Sequence, residues 1–305
     1  MKIINFGSLN LDYVYKVDKI VSPGETISSE GYSVFCGGKG LNQSIALRKA
    51  ANANIQVCHA GAIGKDGAAL RKALEENGVD TSMLQEVDGP SGHAIIQVDK
   101  KGRNSIIVHG GANKSLSFGL IQMAVSSLEP GDIALAQNET NLTAEIARLC
   151  AKQGVHFALN PSPMDDVISK TFPFELVRWL LINEIEGQAL SGESEPRKIA
   201  EVLSNRYPEC EIVLTLGEDG VLYKSKVQEM SVSACKVDAV DTTAAGDTFA
   251  GFFLGSVAEG DILPKSLPLA SAAAAIAVSR MGASASIPTR DEAEKLWQSV
   301  YLAKG

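Results

Sequence analysis

The sequence predicts a mostly parallel α/β sheet covered on both faces by helices, with a second, small sheet at one end. Three observations carry this. The chain has 305 residues, 45% of them hydrophobic and 21% charged, enough for one large core or two smaller ones. From about residue 130 onward, short apolar runs alternate with amphipathic ones, and strands that alternate with helices build parallel sheets. Before that point, β-rich runs are interrupted by polar turns that do not fit a βαβ unit.

The elements follow in order. Residues 3–17 and 31–36 are strand-rich, with turn chemistry in VSPGETISSEG between them. GGKGLNQSIALRKAANANI opens on glycines and becomes an amphipathic helix. IQVCHAGAIG reads as a buried strand leading into the helix DGAALRKALEENGV. GHAIIQVDKKGRNSIIVHG is a hairpin, two β-rich runs around a charged turn with glycine. Then come the strand DIALAQ, the helix LTAEIARLCAKQG, the strands VHFALNPS and LLINE, the helix EPRKIAEVLSNRY and the strand CEIVLTLGEDG. VDAVDTTAAGDTFAGFFLGSV reads as strand, turn and helix start, and helices are expected over 246–258, 265–280 and 289–303. No repeat, low-complexity tract or linker interrupts the chain, so one domain over 1–305 is expected.

The net charge of −8 disfavours general binding to nucleic acid or anionic lipid, while leaving room for a local cationic pocket. MKIINFGSLNLDYVY lacks the apolar core of a signal peptide, and LASAAAAIAV is too short to span a bilayer; a cytoplasmic protein with no membrane partner is expected. Cys36, Cys58, Cys150, Cys210 and Cys235 are odd in number and form no C-x-x-C, so buried free thiols are expected. His59, His93, His109 and His156 have no motif partner and read as structural or surface residues.

The chemistry concentrates in DTTAAGDTFAG, residues 241–251. Ligands of parallel sheets bind beyond the carboxyl ends of strands, where helices begin. Ala244, Ala245 and Gly246 let backbone N–H groups approach a ligand, and a helix N-terminus favours an anion such as phosphate. Asp247 falls in the first turn, either as a simple complement to the helix dipole or as a general base beside the phosphate cradle. TLGEDGVLY, with Gly217 and Gly220, is a second candidate phosphate loop, though many strand corners look like it. In NEIE, Asn183 and Glu186 share a helical face and suit water-mediated Mg²⁺, or else form a helix cap with a solvated Glu. FCGGKGLNQ is not a P-loop, because Lys39 is followed by Gly40 and the glycine spacing fails. No Rossmann fingerprint, H-E-x-x-H or G-x-S-x-G is present.

GSLNLD, PGET, GGKGLNQ, HGGAN, NEIE, TLGEDG and DTTAAGDTFAG occur in one order from about residue 3 to about residue 290. That order resembles the ribokinase-like family of sugar and nucleoside kinases. The resemblance implies a doubly wound, mostly parallel sheet flanked by helices, with a small β-sheet lid over the sugar, built from about 13–36 and 92–108. It implies a homodimer through that lid. It implies ATP-dependent phosphorylation of a small neutral sugar, D-ribose at O5 first, with deoxyribose, fructose or a nucleoside as alternatives and a non-catalytic sugar sensor as the reading from another class. By the same resemblance Asn10, Asp12, Gly38, Lys39, Gly40, Asn42 and Glu139 hold the sugar. Asn183, Thr215, Gly217, Gly220 and Gly246 line the ATP site, and Ala244, Ala245 and Gly246 form the anion hole. Asn183 and Glu186 position Mg²⁺ through water, and Asp247 is the base. K⁺ activates from a site at Asp241, Thr243, Ala277, Arg280, Gly282 and Ser286. Leu41, Ser271 and Met281 depart from the family pattern: a small residue, an adenine-contacting His or Asn, and a basic residue are common there. None of the three removes a group the reaction needs.

Overall fold

The structure, a computed structural model, describes residues 1–302. The chain opens with β1 (Lys2–Phe6), β2 (Asn10–Val17), β3 (Gly31–Gly37) and α1 (Lys39–Ala50). β4 (Gln56–Ile63), α2 (Ala68–Glu76), β5 (Asp80–Glu86), β6 (Gly92–Asp99) and β7 (Asn104–His109) follow. Next come α3 (Phe118–Ser126), β8 (Ile133–Gln137), α4 (Thr143–Gln153), β9 (His156–Asn160), α5 (Asp166–Thr171) and β10 (Trp179–Asn183). The last part holds α6 (Glu184–Ser191), α7 (Pro196–Arg206), β11 (Glu211–Thr215), β12 (Val221–Lys224), β13 (Glu229–Val232), α8 (Ala245–Ala258), α9 (Leu263–Val278) and α10 (Arg290–Trp297).

Nine strands form the main sheet in the order β13-β12-β11-β10-β9-β8-β1-β4-β5, and four form the small sheet, β3-β2-β6-β7. From β5 across to β11 every pairing is parallel; β12 and β13 add an antiparallel edge. The sheet is buried on both faces because its strands are apolar at consecutive positions. Ile3, Val57 and Val213 face one core with α1, α8 and α9, while Ile4, Cys58 and Ile212 face the other with α3, α4 and α7. The strand order reverses at β1, which pairs with β4 on one side and β8 on the other. Such a switch point leaves a crevice beyond the strand ends. The strand-rich run at the start is split between two sheets: β1 belongs to the large one and β2 to the small one.

Several expectations need correction. Helix α1 is not amphipathic: every residue from Gly40 to Leu47 is buried, because the helix lies between the sheet and α8. Residues 237–240 are not a strand; this coil is pinned by the N–H groups of Val240 and Asp241, which both donate to the Val278 carbonyl at 2.9 and 3.1 Å. The expected helix 289–303 is α10 followed by a turn of π-helix over Gln298–Leu302, and residue 303 lies outside the described residues. No disulfide joins the five cysteines, and four of them are buried. Among the described residues no helix is long and apolar enough to cross a membrane.

The pairing of α1 with α8 positions the site, and it depends on two glycines. A Cβ on Gly251 would lie 2.4 Å from the Ala46 Cβ, and one on Gly255 would lie 2.7 Å from the Ala50 Cβ. Gly251→Ala is expected to destabilise the fold by about 1–3 kcal/mol through overpacking. The denaturant midpoint measures this, and an unchanged midpoint would show that the helices separate freely.

Candidate active site

Sugar-side and phosphate-side residues converge where β1, β8, β9, β10 and β11 end and α1 and α8 begin. β1 ends in Gly7 and Ser8, against which α1 starts. A Cβ on Gly40 would lie 2.3 Å from the Ser8 nitrogen and 2.4 Å from the Gly7 carbonyl carbon, so only glycine lets the helix start here. Gly38 holds φ 96° just before it. Asn42 and Gln43 sit near the start of α1, and both reach Asp247 in the first turn of α8. Asn42 Nδ2 donates to Asp247 Oδ2 at 3.0 Å and Gln43 Nε2 to Asp247 Oδ1 at 2.8 Å. Asp247 is only 7% exposed. A residue that merely complements the helix dipole has no need of this burial or of two amide donors.

A cleft of about 460 Å³ runs past this carboxylate. Of the sequence-predicted residues, Lys39, Asn183, Glu186, Thr215, Gly217, Ala244, Ala245, Gly246 and Asp247 line it. Ala244 is the N-cap of α8 and holds φ 61°. The N–H of Ala245 donates to the Thr242 carbonyl at 3.3 Å, and that of Thr248 donates to Ala244 at 2.8 Å. The first-turn N–H groups of Gly246 and Asp247 lack intrahelical acceptors, as helix starts require, and suit an anion. Gly220 does not line the cleft. It turns the chain from β11 into β12 at φ 109°, where a Cβ would lie 2.0 Å from the Val232 carbonyl oxygen.

Asn183 and Glu186 form a reciprocal cap on α6. Glu186 N donates to Asn183 Oδ1 at 2.9 Å, and Asn183 N donates to Glu186 Oε2 at 3.0 Å. Asn183 therefore precedes the helix rather than sharing its face, and Glu186 is 5% exposed rather than solvated. Among the described residues Glu186 Oε1 takes no hydrogen bond. A carboxylate oxygen left open at a phosphate-sized cleft fits water-mediated Mg²⁺.

The sugar-side residues meet at the junction of the two sheets. Asn10 Oδ1 accepts from Asn113 Nδ2 at 2.8 Å, and Asn113 Oδ1 accepts from the Leu9 N–H at 2.9 Å. Glu139 accepts from the Lys39 N–H at 3.0 Å and from the Ser8 hydroxyl. Asp12 lies on β2, and burial, with the Glu139 charge added, pushes its carboxyl up to about 6. Asn42 Oδ1 is buried with no partner among the described residues.

Asp241 joins the two loops expected to hold a cation. Its Oδ1 accepts from Thr243 N at 2.9 Å and its Oδ2 from Gly282 N at 3.0 Å. Ala277 ends α9 nearby, the Ser286 hydroxyl donates to the Ala283 carbonyl at 2.8 Å, and Arg280 is turned to Glu292 at 2.6 Å. A carboxylate beside the carbonyl end of a helix is an oxygen-rich, negative environment that fits a monovalent cation.

Sequence reasoning passed over Gln43, Asn113, Ser8, Gln137 and Asn160. The first three stand inside GGKGLNQ, HGGAN and GSLNLD, so a signal was present, but nothing local marks them as facing the site. His59, read as structural, is fully buried; it meets Ser44 Oγ at 2.8 Å and the Gly7 carbonyl at 3.2 Å, and burial pulls it down to about 4. A second cavity, of about 610 Å³, opens at the opposite ends of β10 and β11. Its central carboxylate, Glu211, is already satisfied by Arg178, Trp179 and Tyr223.

Residues 1–290 match the pfkB family carbohydrate kinase. The ribokinase of Haemophilus influenzae is 35% identical over 300 residues, 94% of this chain and 95% of that protein. The structure of Cryptococcus neoformans ribokinase in complex with ADP superposes with a TM-score of 0.85 at 32% identity, covering 96% of this chain and 99% of that one. Arabidopsis thaliana ribokinase complexed with ribose and ATP gives a TM-score of 0.85 at 27% identity, covering 97% and 98%.

Proposed function

The chain belongs to the pfkB family of carbohydrate kinases, and from that premise we propose that it transfers the γ-phosphoryl group of ATP to O5 of D-ribose. One observation carries the reading: a buried carboxylate, Asp247, is held by amides of the sugar-side helix at the N-terminus of the phosphate-side helix. Asp247 takes the proton of the primary hydroxyl, and the freed oxygen attacks the γ-phosphorus in line. The O–P bond to ADP breaks as the new one forms. N–H groups around residues 244–246 take up the charge that develops on the transferred group. Asn10, Asp12, Asn42 and Glu139 offer amides and carboxylates to the sugar hydroxyls, the donor and acceptor set a neutral polyol needs. Gly38 and Gly40 let that set close around the sugar, and Lys39 lies between sugar and phosphates. Thr215, Gly217 and Asn183 border the nucleotide, with Gly220 shaping the turn behind it.

Mg²⁺ bound with ATP would add positive charge at the phosphates, held through water by Glu186 with Asn183 beside it. K⁺ would sit at Asp241, Thr243, Ala277, Arg280, Gly282 and Ser286 and order the turn that carries the anion hole. The use of ATP supports a cytoplasmic location.

ADP release with a panel of pentoses, hexoses and nucleosides tests the reading, with ribose expected to give the highest kcat/KM. A better substrate would replace ribose, and sugar binding without ADP release would make the protein a sensor. In the same assay potassium is expected to raise the rate and sodium to raise it less. Equal rates at matched ionic strength would remove the cation from the account.

The small sheet acts as the lid and pairs with that of a second copy. Val34, Phe35, Ile95, Ile106, Ile107 and Val108 are exposed on it, and Ile95 lies opposite Ile107 in register. Such an apolar edge calls for a partner. Light scattering is expected to give a dimer, and Ile107→Asp a monomer; a wild-type monomer at micromolar concentration would contradict this.

A further inference from the structure

We propose that Gln43 is a positioning residue for Asp247, and that a chain of side-chain amides locks its donor end onto that carboxylate. The proposal rests on the reading of Asp247 as the base.

An amide side chain has two near-equivalent orientations, and its neighbours decide between them. Here two backbone carbonyls, which can only accept, make the decision. Asn5 Nδ2 donates to the Gly40 carbonyl at 2.8 Å and to Ser44 Oγ at 2.9 Å, so Asn5 turns its oxygen to Gln137. Gln137 must then present its nitrogen, which donates to Asn5 Oδ1 at 2.9 Å and to Gln43 Oε1 at 2.7 Å. Gln43 is left with its nitrogen pointing the other way. On that side Asn160 gives its nitrogen to the Leu181 carbonyl at 2.9 Å and offers Oδ1 to Gln43 Nε2 at 3.0 Å. The remaining N–H of Gln43 meets Asp247 Oδ1 at 2.8 Å.

Every step has one allowed direction. Gln43 and Gln137 are fully buried, so water cannot substitute. Gln137 Oε1 is left without a partner among the described residues, but turning the amide would set it against Asn5 Oδ1 and Gln43 Oε1, two acceptors, and break both donations. The arrangement fixes one lobe of the Asp247 carboxylate against rotation, as Asn42 fixes the other. A base must sit within hydrogen-bond reach of the proton it takes, so its kcat depends on that orientation. Gln137 makes no hydrogen bond to Asp247 and is not among the residues that line the cleft, yet its side-chain donations set the direction of Gln43.

Gln43→Met and Gln137→Met keep the approximate volume and remove the donors. Each is expected to lower kcat by about 10-fold or more. Ribose and non-hydrolysable ATP analogue dissociation constants should stay within about twofold of wild type. The double variant should lose little more than Gln43→Met alone, because both changes act through one contact. Neither change should lower the residual rate of an Asp247→Asn enzyme further. Unchanged kcat in folded single variants would overturn the proposal. So would losses that multiply in the double variant, or that appear in affinity and melting temperature but not in kcat. If Gln43→Met does not fold, Gln137→Met alone and in the Asp247→Asn background decides. An active Asp247→Asn enzyme would instead sink the base assignment itself.

Discussion

Asp247→Asn is expected to lower kcat by at least about 100-fold, the usual range for losing a general base being about 10²–10⁴-fold. The variant keeps the shape of the side chain but has no oxygen basic enough to take the hydroxyl proton. It also meets a conflict. Asn42 Nδ2 and Gln43 Nε2 both donate here, at 3.0 and 2.8 Å, and an amide offers only one oxygen. Asn42 resolves the conflict by turning its amide, because its Oδ1 has no other partner among the described residues, so the side chain keeps its place while losing its charge. The sugar and the nucleotide are expected still to bind, since the other contacts proposed for them come from β2, α1, β10 and β11. Steady-state kinetics with calorimetric titration of each ligand checks both halves. Wild-type kcat would remove Asp247 from the mechanism, and loss of both affinities would mean that the site had collapsed.

Asp12→Ala is expected to weaken ribose binding by roughly 10- to 150-fold and to leave the ATP analogue nearly untouched. The range follows from hydrogen bonds to a charged group, worth ~1.5–3 kcal/mol, with tenfold equal to ~1.4 kcal/mol. The pH dependence separates this role from a structural one. Burial and Glu139 lift the Asp12 carboxyl to about 6. A sugar that donates to the ionised form binds best above that value, and affinity falls as pH drops through about 6. The stability sign runs the other way. A carboxyl whose pKa rises on folding opposes the folded state once it is ionised, so its removal does not weaken the fold through charge at pH 8. Titrations between pH 5 and 8, with melting curves of the variant, test this. Unchanged ribose affinity, or an equal loss for both ligands, would place the sugar elsewhere.

The sequence made the parallel core legible because its strands are continuous apolar runs and its helices between them are patterned. It concealed β5, whose charged and polar residues break the apolar run, and the short edge strands β12 and β13. It misled at residues 237–240, where valines suggested a strand but the chain is tied to the end of α9 instead. It misled at α1, since a helix packed on opposite sides has no polar face to pattern. In the site, charged and glycine-rich motifs were readable because few residue types can do their work. The amides were not, because Asn and Gln suit surfaces, caps and cores alike. Their meaning lies in which neighbour each one faces, and Asn42 and Asp247 are 205 residues apart.

That separation also shapes when the protein becomes active. The first strand pairs with β4 and gains its other neighbour only from β8, the Lys2 N–H reaching Asp132 across 130 positions, and the first helix gains its partner from α8. Contacts so distant in the chain repay their loop-closure entropy late, which slows folding. Until α8 docks, the polar side chains of α1 have no partner there, and a partly folded chain presents a sugar-side surface without a base. On the proposed role of Asp247, catalytic competence is therefore expected only once α8, Ala245–Ala258, has been made and docked, and not by gradual improvement of an early, half-formed site.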